Sequence, residues 1–288
     1  MNGRWLLVAL LAQAAAAPAF DSGRAWDHLR HLVTIGPRPS GSSAIEQTRA
    51  YIKAQLAAAG VTVTEQAWDQ QTPLDSVRMI NLVATLPGAR RDRIIIAGHY
   101  DTKLYREFRF VGASDGASSA AFLIELARVL KARKNPLTIE ILFLDGEEAR
   151  RPDWQGTDNT YGSRRYVELA RKDGTLTSAK AMILVDMIGD RDLTIRRDSN
   201  STAWLTDAIW STARRLNQPA FMQESTRVED DHLPFLAAGV PSVDVIDLDY
   251  PQWHTAADTL DAVSARSLQT VGDVLLAALP AIETRLAK

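Results

Sequence analysis

The sequence predicts an α/β fold, a single domain built on one twisted, mixed but mostly parallel β-sheet flanked by helices. Three observations carry that expectation. Helical and strand patterns alternate along the chain, as they do when helices cover a sheet. The strand candidates are short, β-branched and apolar at successive positions, the pattern of strands buried on both faces. No linker rich in Pro, Gly or Ser and no internal repeat divides the 288 residues. With 46% hydrophobic and 24% charged residues, the composition is that of a globular protein and excludes disorder, collagen and coiled coil. A formal charge of −2 argues against nucleic acid as the main partner, because phosphate binding needs a basic surface. The chain has no cysteine, so disulfides, a thiol nucleophile and thiolate-held metal are all excluded. Any metal must be held by carboxylates and histidines.

Each element has its own signal. Residues 1–19 carry a positive charge near their start at Arg4, continue through an apolar stretch and exit at Ala17-Pro18-Ala19, the layout of a secretory signal peptide. The apolar stretch is short for a membrane span, although an uncleaved N-terminal anchor is the alternative. The expectation is therefore an exported protein, periplasmic or secreted, with a catalytic domain over 20–288 and no span in the mature chain. Residues 44–59 carry helical periodicity and stop at Gly60. Residues 61–68 and 77–85 read as strands, as do 93–97 and 137–144. Helices are expected over 120–131, 161–172 and 203–216, strands over 181–185 and 242–246, and a closing helix over 264–286.

Sites on open α/β sheets form beyond the carboxyl ends of the strands. Here strand 93–97 runs into Gly98-His99-Tyr100-Asp101, and 137–144 into Asp145-Gly146-Glu147-Glu148. Asp186 follows 181–185, Trp253-His254 lie beyond the last strand, and Asp115 precedes a helix. Each residue has a plain alternative. His99 and Asp101 could close a strand end, Asp115 could cap a helix, and Glu147-Glu148 could be a solvated turn. His254 could be a surface histidine, Trp253 a packing residue, and Asp230-Asp231-His232 an exposed acidic loop. Taken together they suit one chemical reading. Asp115, Glu148 and His254 offer two carboxylates and an imidazole, three ligands with an open fourth position, as in catalytic zinc sites. Glu147, next to a ligand, is then placed as a general acid/base.

The blocks GHYDTK, FVGASDGA, FLDGEEA, YGSRR, VDMIGD, EDDHLPFLAAGVPSVDVI and WHTAADTLD resemble the zinc-dependent glutaminyl cyclases of the M28 zinc-aminopeptidase-like superfamily. The resemblance spans residues 25–288 in order. It implies a single zinc ion at Asp115, Glu148 and His254, and Glu147 as the proton shuttle with Asp186 and Asp230 as hydrogen-bonded acidic partners. Trp154 and Trp253 are implied to line the substrate pocket. The implied activity is that of a glutaminyl-peptide cyclotransferase, turning the N-terminal glutamine of peptides or proteins into pyroglutamate with loss of ammonia. A monomer is expected. The chain departs from the animal members at Asp244, where they tend to carry a histidine, and residues 105–110 have no interpretable role. The alternative is a two-zinc aminopeptidase, with His99 and Asp186 holding a second ion beside Asp115. A non-catalytic binding module is a third possibility, disfavoured because every ligand and Glu147 are retained.

Overall fold

Strand β3 (Arg90–His99) is apolar on both faces for a physical reason that the structure, a computed structural model describing residues 19–287, makes plain. Ile94 and Ile96 point into one core and Ile95 and Ala97 into another, as alternation along a strand requires. The first core is covered by α1 (Ser22–Ile35), α2 (Ser43–Ala58), α3 (Ala117–Ala132), α5 (Ala203–Arg215) and α7 (Ala265–Leu286). The second lies beneath α4 (Tyr161–Lys172) and α6 (His232–Ala237). β3 pairs in parallel with β4 (Leu137–Leu144) and β5 (Ala179–Asp186), and β5 in parallel with β8 (Ser242–Ile246). The remaining two strands form a hairpin, β1 (Val63–Gln71) with β2 (Ser76–Leu86), and β2 joins β4 antiparallel. The sheet order is β1-β2-β4-β3-β5-β8.

Three elements match their sequence-based bounds at both ends: β4, α4 and β8. Four others are absent from the sequence reading. Helix α1 had a legible signal, since Asp21 accepts from the backbone N–H of Gly23 and Arg24 and so starts the helix. Its buried Ala25, Leu29 and Leu32 also follow helical spacing. The paired strands β6 (Ile195–Asp198) and β7 (Phe221–Thr226) gave no pattern, because β6 is short and arginine-bearing and β7 is almost wholly solvated. Helix α6 is six residues long and contains Pro234, too brief for periodicity to register. The segment read as a signal peptide lies outside the described residues except for Ala19. Among the described residues, no helix is long and apolar enough to cross a membrane.

The turn after β8 makes stability depend on pH. Asp247 is fully buried, and burial together with the nearby charge of Asp190 pushes its carboxyl up to about 7, against the N–H bond from Thr194. The folded protein then binds a proton that the unfolded chain releases near pH 4. Stability is greatest below that point, falls as pH rises toward 7, and levels off beyond it. Asp247→Asn is expected to flatten this slope, removing on the order of 2 kcal/mol of the loss between about pH 5 and about pH 8. Urea midpoints at the two pH values measure it.

Candidate active site

The parallel strands deliver their carboxyl ends to one rim, and the polar residues singled out from the sequence meet there. His99 closes β3, Asp186 closes β5, and Glu147 and Glu148 lie just past β4. Asp115 comes from the loop ahead of α3, Asp230 from the turn ahead of α6, and His254 from the turns after β8. Several plain alternatives fail. Gly116, not Asp115, caps α3, and no side chain bonds to that helix end. Gly116 has φ +86°, and a Cβ there would stand 2.4 Å from the Asp101 carbonyl oxygen, so only glycine lets the loop tuck beneath β3. Glu147, Glu148, Asp230 and Asp231 are all buried, which removes the solvated-turn and exposed-loop readings.

Asp115, Glu148 and His254 converge. His254 Nε2 lies 3.3 Å from Asp115 Oδ2 and 3.3 Å from Glu148 Oε1. Donors about 2.1 Å from a tetrahedral ion stand roughly 3.4 Å from one another, so this spacing suits zinc. Asp115 Oδ2 and both Glu148 carboxylate oxygens are buried without a hydrogen bond, with the His254 imidazole at 3.3 Å and, for Glu148 Oε2, the Lys103 ammonium at 3.7 Å, so lone pairs are left that a bound cation would take. The electrostatics agree. Burial pushes the Glu148 carboxyl up and the Asp115 charge adds to the shift. Burial also acts upward on Asp115, yet the His254 and His99 imidazoles outweigh it and hold this carboxyl far below its ordinary range. Against burial, Asp115 and Glu148 raise His254 to about 10.

A second group, His99, Asp115 and Asp186, is also close enough to share an ion. Its donors are differently committed. His99 Nε2 and Asp186 Oδ1 are hydrogen-bonded at 3.0 Å, and Asp186 Oδ1 also accepts from the Met187 N–H at 2.7 Å.

Residues outside the expected set hold these groups in place. Asp258 accepts from the Ser114 N–H at 2.8 Å, the Asp115 N–H at 3.1 Å and the Tyr250 hydroxyl at 2.7 Å. Asp101 accepts from the backbone of Glu147 and Glu148 at 3.2 and 3.4 Å. Asp145 pins the same turn from below through Ser40, Arg49 and the Ile80 N–H. Asp101 and Asp145 stand in the strand-end motifs, whereas Asp258 stands in the WHTAADTLD block without a role of its own there. Asp258→Asn replaces one accepting oxygen by a donor facing an N–H. It is expected to weaken zinc binding about 10- to 100-fold while the fold persists, as competition with a chromophoric chelator would read.

Glu147 sits within a ring of charge. His99 Nδ1 is 3.8 Å from its Oε2. Burial raises the Glu147 carboxyl well above its ordinary range, the His99 imidazole opposes the shift, and Glu148, Asp230 and Asp186 reinforce it. The two acidic partners that the resemblance implies for Glu147 make other hydrogen bonds as well. Asp186 turns to His99 and Met187, and Asp230 Oδ1 accepts from the Asp231 N–H. Their influence on Glu147 is through charge. Asp244 is buried on the same side, and His232 of α6 stands 3.6 Å from it and 3.1 Å from Asp198. An imidazole therefore reaches this region from α6 even though position 244 is an aspartate.

Above these groups opens a cleft of about 610 Å³, lined by Trp154, Trp253, Lys103, Asp230 and His254. Trp253 is 45% exposed, and its ring lies 4.5 Å from that of His254 at the cleft wall. The segment 105–110, uninterpretable in the sequence, now has a place. Tyr105 stacks on Phe108, and the Tyr105 and Phe110 rings meet the His254 imidazole edge-on at 6.0 and 5.9 Å. His254 and Met187 are held at φ +54° and +45°. Such conformations cost non-glycine residues about 1–3 kcal/mol each and concentrate at functional sites.

Comparison with known proteins bears on this geometry. Residues 81–279 match the peptidase family M28. The chain is 34% identical to the glutaminyl-peptide cyclotransferase-like protein of Mus musculus, over 83% of this chain and 70% of the mouse protein. It superposes on the crystal structure of an Acidobacteriales bacterium glutaminyl cyclase with TM-score 0.89 and 39% identity, covering 96% of this chain and 100% of that one. A leucine aminopeptidase precursor from Bacteroides thetaiotaomicron shares the fold, with TM-score 0.84 and 24% identity over 92% of this chain and 99% of that one.

Proposed function

Since this chain belongs to peptidase family M28 and, within it, to the glutaminyl-peptide cyclotransferases, we propose that it converts N-terminal glutamine of peptides or proteins into pyroglutamate with release of ammonia. The observation that carries this reading is a buried carboxyl, Glu147, with its proton affinity raised by burial, placed beside three converging metal donors in a cleft walled by two tryptophans. Asp115, Glu148 and His254 would hold one zinc ion, which when bound supplies Lewis-acid polarisation of the substrate's γ-carboxamide. One ion rather than two is favoured because His99 Nε2 and Asp186 Oδ1 already hydrogen-bond to each other.

The residues of the chain then do the rest. The substrate's α-amine forms the new bond to its own γ-carbon, the bond from that carbon to the amide nitrogen breaks, and ammonia departs. Glu147 removes a proton from the attacking amine and delivers one to the leaving nitrogen. Asp186 and Asp230 keep its affinity for that proton high through their nearby charge. Attack within one molecule removes most of the entropic cost of bringing the reactants together. Trp154 and Trp253 hold the chain curled and keep water from competing with the amine.

Export with cleavage near residue 19 completes the reading. Its support is the charge and apolar run of residues 1–19 and the anchoring of the chain from Phe20 onward, whose ring packs on Phe122 at 5.0 Å. The functional reading is tested by incubating the protein with a Gln-initiated dipeptide. Ammonia and a blocked N-terminus are expected, whereas free amino acids would make it an aminopeptidase and no product would leave only a binding module.

A further inference from the structure

A second, larger groove of about 830 Å³ runs between α4 and α6 and joins the first at Trp154, Glu229 and Asp230, which line both. We propose that this groove is the track for the substrate residues downstream of the N-terminal glutamine, and that it selects peptides with acidic side chains in that tail. The inference rests on the cyclase reading.

Continuity is the first support. A peptide whose amine and first side chain occupy the inner cleft can leave past Trp154 directly into the groove, where Val167, Leu233 and Pro234 present a partly apolar surface. The charge pattern is the second. Acidic residues, Glu229 and Asp230, stand at the end shared with the inner cleft, where a substrate's amine belongs. Farther along α4 come Arg164, Arg171 and Lys172, with Glu168 between them paired to Arg165 at 2.9 Å, so that the basic residues outnumber the acidic one at this end. Arg164 donates to the carbonyls of Thr157, Thr160 and Asn159, and Arg171 to that of Ala237, so their positive charge is held in place without a carboxylate partner. Arg171 and Lys172 are also exposed and close the last turn of α4, where the helix end alone would attract cations rather than anions. The groove is thus polarised from acid to base in the direction a peptide runs from its amine toward its tail. A tail carrying Glu or Asp complements it, and a tail carrying Lys is repelled.

The test compares kcat/KM for Gln-initiated pentapeptides whose tails carry glutamates or lysines. The wild-type protein is expected to favour the acidic tail about three- to tenfold, the range of two or three exposed ion pairs, and to lose the preference at high salt. Arg171→Glu with Lys172→Glu, both exposed, is expected to reverse the ratio, which loss of folding would not do. Equal turnover of both tails by the wild type, or an unchanged ratio in the double variant, overturns the proposal. A neutral Gln-initiated dipeptide, too short to reach α4, separates the two failures. If it is cyclised while the tails make no difference, only the groove assignment falls. If it is not cyclised, the cyclase reading falls and takes the groove with it.

Discussion

Glu147→Gln is expected to lower turnover of a Gln-initiated peptide by about 10³-fold or more, at the upper range for loss of a general acid/base. Zinc should stay bound with little change in affinity. Glutamine matches the shape of glutamate and its hydrogen-bonding reach but cannot take a proton from an attacking amine. The site is arranged for that transfer, since burial and the charges of Glu148, Asp230 and Asp186 raise this carboxyl well above its ordinary range. The fold should tolerate the change, because substituting a neutral amide relieves repulsion among neighbouring carboxylates. Steady-state kinetics and metal analysis on one preparation check it. Turnover close to wild type would remove Glu147 from the mechanism.

The neighbouring substitution is expected to fail differently. Glu148→Gln should release zinc on dialysis and abolish turnover, with partial recovery in excess zinc. A neutral amide is a poor substitute for a carboxylate ligand, and both oxygens of Glu148 lack hydrogen-bond donors to share. The sign of the stability change separates this loss of metal from general damage. Without zinc, the wild-type protein holds Asp115 and Glu148 together, and their mutual charge is unfavourable. The metal-free variant should therefore melt at or above metal-free wild type. Only the wild type should gain stability when zinc is added, by mass action on the folded state. A metal-free variant that melts well below metal-free wild type would assign Glu148 a structural role instead.

The sequence was most informative where burial and chemistry coincide. The run Ile94-Ile95-Ile96 announced a strand covered on both faces, and the polar residues following β3, β4 and β5 marked the rim. Asp115, Glu148 and His254 lie up to 139 residues apart, from 115 to 254, yet strand order brings their donor atoms within hydrogen-bonding distances. What stayed hidden depends on tertiary contact. Asp258 reads as an ordinary loop aspartate until its bonds to the backbone of Ser114 and Asp115 are seen. The Tyr105–Phe110 aromatics have no periodicity and gain meaning only against the His254 ring. Spacing also could not show that Asp186 pairs with His99 beside Glu147.

Crystals grown with zinc, measured for anomalous scattering at the zinc edge, test the central claim most directly. One peak is expected, among Asp115 Oδ2, Glu148 Oε1 and His254 Nε2, with the His99–Asp186 hydrogen bond intact. Two peaks, the second between His99 and Asp186, would contradict it, as would zinc bound anywhere else on the chain.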